Sequence, residues 1–226
     1  MEKKKKSFAY RFGALEVAMR ETDLSLEVKD YLKAHPNAAV VNLGCGLDQT
    51  AENLDNGTCR IYNIDMPDII EAREKLIDKT DRVENIACDL NDTSWFDRID
   101  LSNGVCFMAA GVFYYFLREQ IQSLFTAMQK RFPSGRLIFD SAGKRAVKMM
   151  VKTWIKEAGI TAISECFYVE DVQTDIAPWL PGAEVSSKGY MLGYNDLKDP
   201  SVPGLFRFMS RLGDGVMKMK IVKIEF

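Results

Sequence analysis

Apolar residues recur at three- and four-residue steps from Phe8 through Phe12, Leu15 and Met19 to Leu24, Val28, Tyr31 and Leu32. That period puts them on one face of a helix, so residues 7–34 read as helical. Thr22-Asp23-Leu24-Ser25 carries residue types that favour N-caps, and it predicts a break between two helices. His35 precedes Pro36, and the residue before a proline disfavours the helical well, which ends the second helix.

From there short apolar runs alternate with amphipathic stretches. Ala38–Leu43, Arg60–Ile64, Val83–Cys88, Gly104–Ala110 and Gly135–Asp140 read as strands. Pro67–Asp78, Arg118–Arg131 and Lys144–Ala158 read as helices, the first opened by a proline and the last closed by Gly159. This alternation predicts βαβ units and a mostly parallel sheet. After Gly159 the rhythm loosens: residues 160–215 hold four of the seven prolines, with short helices expected near 170–178 and 203–212. Val216–Phe226 alternates with period two, as expected of a terminal strand at the antiparallel edge of the sheet. With no repeat or linker, a single domain over residues 1–226 is expected.

Composition adds mainly exclusions. The 226 residues are 47% hydrophobic and carry a net charge of −2, so no nucleic-acid partner is indicated. Lys3–Lys6 read as a solvated tail. Five cysteines, without metal-ligand spacing, and one histidine argue against a disulfide framework and a metal centre. There is no secretory h-region and no run long enough to span a bilayer, so a cytoplasmic protein, monomer or homodimer, is expected without a membrane partner.

Candidate chemistry sits in Val40–Asp65. Val40-Val41-Asn42-Leu43-Gly44-Cys45-Gly46-Leu47-Asp48 is a buried strand running into a glycine-bounded turn. Ligands of open α/β sheets bind beyond the carboxyl ends of strands, and Gly44 and Gly46 allow close backbone approach. Asp65 stands nineteen residues after Gly46, placed to accept hydrogen bonds from ribose hydroxyls. It could equally cap the helix beginning near Pro67. A dinucleotide fingerprint would need glycine where Gln49 stands, and no P-loop lysine follows. An adenosine ligand without a pyrophosphate fits better, which favours S-adenosylmethionine.

The strings VVNLGCGLD, YNIDMPDIIEAREKLI, CDLNDTSW and the pair FMAAGVFYYF and FPSGRLIFDS resemble the leucine carboxyl methyltransferase family, in the same order and over about residues 38–141. The resemblance implies an α/β Rossmann-like class I methyltransferase fold: a mostly parallel seven-stranded sheet with an antiparallel C-terminal strand, plus N-terminal helices. It implies S-adenosylmethionine as cofactor, with S-adenosylhomocysteine as product. By the same resemblance Asn42, Leu43, Gly44, Cys45 and Gly46 line the methionine end, Asp65 holds the ribose and Met66 packs on the adenine. Cys88, Asp89 and Leu90 fall at the adenine edge, and Ala109 and Ala110 beside the sulfonium. Cys45 and Cys88 also read simply as small apolar residues, and Asp89 as a turn former with Asn91 and Asp92. Phe113-Tyr114-Tyr115-Phe116 reads either as core or as a wall of the acceptor pocket.

Two family features are missing. Gln49-Thr50 replaces a basic pair-maker after the glycine turn, and Ala110-Gly111 replaces a Glu-Gly pair. The cofactor carboxylate must then meet another group, with Arg11 or Arg20 of the N-terminal helices as candidates. Residues 1–34 and 171–212 are expected to cap the acceptor side, with Trp179, Phe206 and Phe208 as candidate apolar walls. No obvious general base is present, although a tyrosine such as Tyr114 or Tyr115, or an aspartate, could serve; this favours an acceptor already ionised, a carboxylate of a small molecule or peptide C-terminus. The expected activity is O-methyl transfer. A non-catalytic cofactor- or partner-binding relative is the alternative, and a nucleotide-sugar or NAD-dependent oxidoreductase on the same topology is disfavoured by Gln49.

Overall fold

A computed structural model describes residues 8–150, 152 and 166–226. Helix α1 runs unbroken from Phe8 to Ala34, so the break expected at Thr22–Ser25 is absent. The cap-type side chains there do not bond the backbone N–H groups ahead of them. Thr22 Oγ1 donates back to the Ala18 carbonyl at 2.7 Å, and Asp23 turns inward, fully buried, with Asn195 Nδ2 at 3.5 Å. Leu24 and Val28 are buried on the same helix and carry it across the expected break.

Among the described residues seven strands form one sheet. They are β1 (Ala39–Leu43), β2 (Arg60–Asp65), β3 (Val83–Ala87), β4 (Val105–Ala109), β5 (Arg136–Ser141), β6 (Glu184–Gly189) and β7 (Lys220–Glu225). Their order is β3-β2-β1-β4-β5-β7-β6. β1 to β5 are parallel, and β7 runs antiparallel to both β5 and β6. The C-terminal strand is therefore antiparallel as expected but interior. The edge belongs to β6, whose sequence EVSSKG has one buried residue, Val185, and so gave no hydrophobic signal.

Each face of the sheet has its own core. Ala39, Val41 and Leu43 point into a cluster with Phe107, Phe125 and Phe139, whereas Val40 joins Val28, Tyr31 and Ile138 on the other side. The alternation along β1 is that of a strand buried on both faces. Helix α1 covers the second face, and α3 (Arg118–Arg131), with the span expected, supplies Ile121, Leu124, Phe125 and Met128 to the first. Helix α2 is Pro67–Leu76, and α4 is Lys144–Met150; the rest of the helix expected to Ala158, and Gly159, lie outside the described residues. The looser region holds α5 (Val172–Asp175), a 3-10 turn at Ala177–Trp179 and α6 (Gly204–Gly215). No helix among the described residues is long and apolar enough to cross a membrane.

Candidate functional site

Strand order reverses between β1 and β4, so the chain leaves these two neighbours in opposite directions and opens a crevice at their carboxyl ends. Gly44 and Gly46, with φ of 64° and 53°, turn the chain there in the left-handed region that favours glycine. The two differ in what surrounds them. A Cβ on Gly44 would lie 2.6 Å from Val112 Cγ2, so it is the loop after β4 that needs this glycine, whereas at Gly46 nothing lies within 4 Å.

Asp65 ties the ends of β1 and β2 together. Gly46 N donates to its Oδ2 at 2.7 Å and Met66 N to its Oδ1 at 2.8 Å. Helix α2 is capped at Met66 without a side-chain bond, so Asp65 does not serve as its N-cap. Each carboxylate oxygen keeps acceptor capacity for a ligand hydroxyl. Behind this turn lies Arg73 of α2, almost fully buried, whose Nη1 donates to the Gly46 carbonyl at 2.9 Å and which pairs with Glu52. Glu52 also accepts from Asn63 Nδ2 at 2.8 Å. Sequence reasoning passed over Arg73, because an arginine on an amphipathic helix reads as solvated.

The remaining strand ends complete a cleft of ≈ 370 Å³. Gly44, Asp65, Met66, Cys88, Asp89 and Leu90 line one side, and Ala110, Gly111, Val112, Tyr115 and Phe116 the other. Residues singled out from sequence thus meet here, among them Gly44, Asp65, Met66, Cys88, Asp89, Leu90, Ala110, Tyr115 and Phe116. Asn42, Leu43, Cys45 and Ala109 are buried in the wall behind it, and Gly46 borders it through Asp65. Burial pushes the Cys45 thiol up to about 12, which suits a packing role. Asp89 also forms the expected turn, accepting from Asn91 N and Asn91 Nδ2, both at 2.9 Å.

The aromatic run divides between the two readings. Phe113 and Tyr114 are buried in the core, and Tyr115 and Phe116 face the cleft. Tyr114 Oη donates to Asp140 Oδ2 at 3.1 Å, and burial together with that negative charge holds its phenol well above the ordinary value. Asp140, at the end of β5, also accepts from Gly111 N at 2.5 Å and faces Arg20 Nη1 at 3.5 Å. Arg20 therefore sits over the end of β4. Arg11 instead lies 5.7 Å from the Phe206 ring. Trp179 packs against the first core and under Arg118, and Phe206 against Phe8 and Phe12, so neither lines the cleft, and Phe208 is exposed. His35 stacks on Tyr31 beside Gly104, at the opposite end of β4 from the cleft.

A doubly wound sheet with its cleft at the switch point, an acid at the end of β2 and an antiparallel β7 is the architecture of class I methyltransferases. The family model for leucine carboxyl methyltransferase matches residues 15–129, and the chain belongs to that family. It is 28% identical over 112 residues to the tetracenomycin polyketide synthesis O-methyltransferase TcmP of Streptomyces glaucescens. That match spans 49% of this chain and 42% of the relative, so the chain aligns with less than half of that protein. The fold is similar to a DUF574 family protein from Streptomyces avermitilis (TM-score 0.63, 13% identity, 91% of this chain and 82% of the other). It is also similar to magnesium protoporphyrin IX methyltransferase from Synechocystis PCC 6803, crystallised with S-adenosylhomocysteine (TM-score 0.55, 12% identity, 97% and 87%).

Proposed function

We propose that this protein is an S-adenosylmethionine-dependent O-methyltransferase and that its acceptor is a carboxylate. The observation that carries the reading is the Asp65 carboxylate, held by two backbone N–H groups at the rim of a cleft at the switch point of a leucine carboxyl methyltransferase family chain. The cleft's ≈ 370 Å³ falls in the range of small-molecule sites, about 300–1,000 Å³. Asp65 would take the ribose hydroxyls, Met66 an adenine face, Asp89 the exocyclic amine, the Leu90 backbone N–H a ring nitrogen at the adenine edge, and Arg20 the amino-acid carboxylate. The cofactor supplies an activated methyl group, and the chain's part is alignment and exclusion of water. Of the segments expected to cover the acceptor side, residues 8–34 and 171–212 would do so, and residues 1–7 lie outside the described residues.

The placement of the candidate bases supports a carboxylate acceptor, with Tyr115 the candidate that faces the cleft. His35 is roughly 15 Å away along β4 by strand rise, and Tyr114 is committed as a donor to Asp140. An acceptor already ionised at neutral pH needs no proton removed, whereas a phenol would. Calorimetry with S-adenosylhomocysteine tests the cofactor reading, and Asp65→Ala should weaken binding by about tenfold or more as charge-assisted hydrogen bonds are lost. Absence of binding to the parent protein would sink it. Radiolabelled methyl transfer to a panel of carboxylic acids and phenols tests the acceptor. Transfer to carboxylic acids, with a rate flat between about pH 6 and 8.5, is expected; transfer only to phenols, with a rising alkaline limb, would overturn it. A second reading, a non-catalytic cofactor binder, is favoured by the uncharged strand end at Ala110. It predicts binding without transfer to any member of the panel.

A further inference from the structure

The end of β4 carries no acid, yet a buried carboxylate reaches it from the neighbouring strand. Asp140 has a side-chain exposure of 2%, and its two oxygens meet three groups, two from the loop after β4 and one from α1. Oδ1 accepts from Gly111 N at 2.5 Å; Oδ2 accepts from Tyr114 Oη at 3.1 Å and faces Arg20 Nη1 at 3.5 Å. Gly111 lines the cleft with φ of 72°, and a Cβ there would lie 2.9 Å from Arg20 Nη1. The absent side chain is therefore the space the guanidinium uses. Arg20 Nε is buried without a hydrogen-bond partner, and the Arg20 side chain stays 26% exposed. An arginine held by one carboxylate and still part open retains donors for a second anion, because its five N–H groups exceed what Asp140 takes.

We propose that Asp140 is a positioning residue for the amino-acid end of the cofactor. It acts through Arg20 and the Gly111 backbone, holding the guanidinium of α1 against the mouth of β4 so that it can pair with the ligand's carboxylate. Asp140 thus places a charge at a strand end that Ala110 leaves neutral, while itself staying out of ligand contact. The proposal rests on the S-adenosylmethionine reading above.

Two ligands separate this role from a merely structural one. S-adenosylhomocysteine has the amino-acid tail; methylthioadenosine has the same nucleoside and sulfur without it. Asp140→Asn keeps the size and a carbonyl acceptor for Gly111 N but removes the charge facing Arg20. By calorimetry, D140N should lose about tenfold in affinity for S-adenosylhomocysteine, the scale of one charge-assisted hydrogen bond, and change by less than about twofold for methylthioadenosine. Equal losses for both ligands, or none for either, would overturn the proposal. Because D140N leaves a half-buried arginine without its carboxylate, Arg20→Gln and the double variant R20Q/D140N form a second test that removes both charges. R20Q should show the same tail-selective loss, and D140N added to it should change S-adenosylhomocysteine affinity by less than about twofold. A further loss in the double variant would mean that Asp140 acts independently of Arg20, which also overturns the proposal. A parent protein that binds neither ligand would instead defeat the cofactor reading itself.

Discussion

Gly44 and Gly46 look alike in the sequence and differ in the structure. Both lie in the left-handed region, where a non-glycine residue costs roughly 1–2 kcal/mol. Only Gly44 adds a collision, with Val112 Cγ2 and Cγ1 at 2.6 and 2.8 Å from its missing Cβ. Gly44→Ala should therefore cost about 3 kcal/mol in denaturant unfolding, and Gly46→Ala about 1 kcal/mol. Equal costs would mean that Val112 moves aside. The residues that hold the site were less legible than those that face the cleft. Gly44, Asp65 and Asp89 announce themselves by spacing, because their neighbours along the chain define the turn. Arg73 and Asp140 work through contacts 27 and 29 residues away, with the Gly46 carbonyl and Gly111 N, and no local pattern encodes those. Arg73→Met would leave Glu52 without its buried partner and the Gly46 carbonyl without its donor. A loss of about 3 kcal/mol or more in unfolding free energy is expected.

At the scale of elements, periodicity found β1 to β5, α2 and α3, because each buries a face that its sequence marks. It missed β6, which pairs antiparallel with β7 and whose side chains are mostly polar. It also cut α1 in two, because Asp23 looks like a cap. In the folded chain Asp23 instead faces Glu27 of its own helix, Asp214 of α6 and Asn195, with Tyr194, Lys188 and Lys223 gathered around Glu27. Burial, then the charges of Asp214 and Glu27, push the Asp23 carboxyl up to about 7 from 3.8. The folded state then binds more protons than the unfolded state between those two values. Stability from this group is fully present below about pH 4 and is lost as pH rises through about 7. Asp23→Asn should remove that dependence. Its stability relative to the parent should improve between pH 5 and pH 8 by on the order of 1–2 kcal/mol, read from thermal unfolding at each pH. Parallel pH profiles for the two proteins would show that Asp23 is ionised throughout.

At the scale of the whole molecule, the cleft is a property of the sheet and of no single segment. Its lining comes from the carboxyl ends of β1, β2, β3 and β4, on both sides of the point where strand order reverses. A ligand seated there bridges the two halves of the fold, and the unfolded chain brings none of these groups together. Binding must therefore appear as global stability. S-adenosylhomocysteine at about a hundred times its dissociation constant should add about 2.7 kcal/mol. For a chain of this length, where each kcal/mol shifts the midpoint by roughly 2–4 °C, the transition should move by about 5–10 °C. NAD shares the adenosine but adds a pyrophosphate, for which Gln49 offers no glycine and the turn no lysine. It should shift the midpoint by less than about 1 °C at the same concentration, a difference set by the phosphates because the ribose acid would serve both ligands. A comparable shift by NAD would reassign the cleft to dinucleotides. An S-adenosylhomocysteine shift that survives Asp65→Ala would place the ligand elsewhere on the sheet.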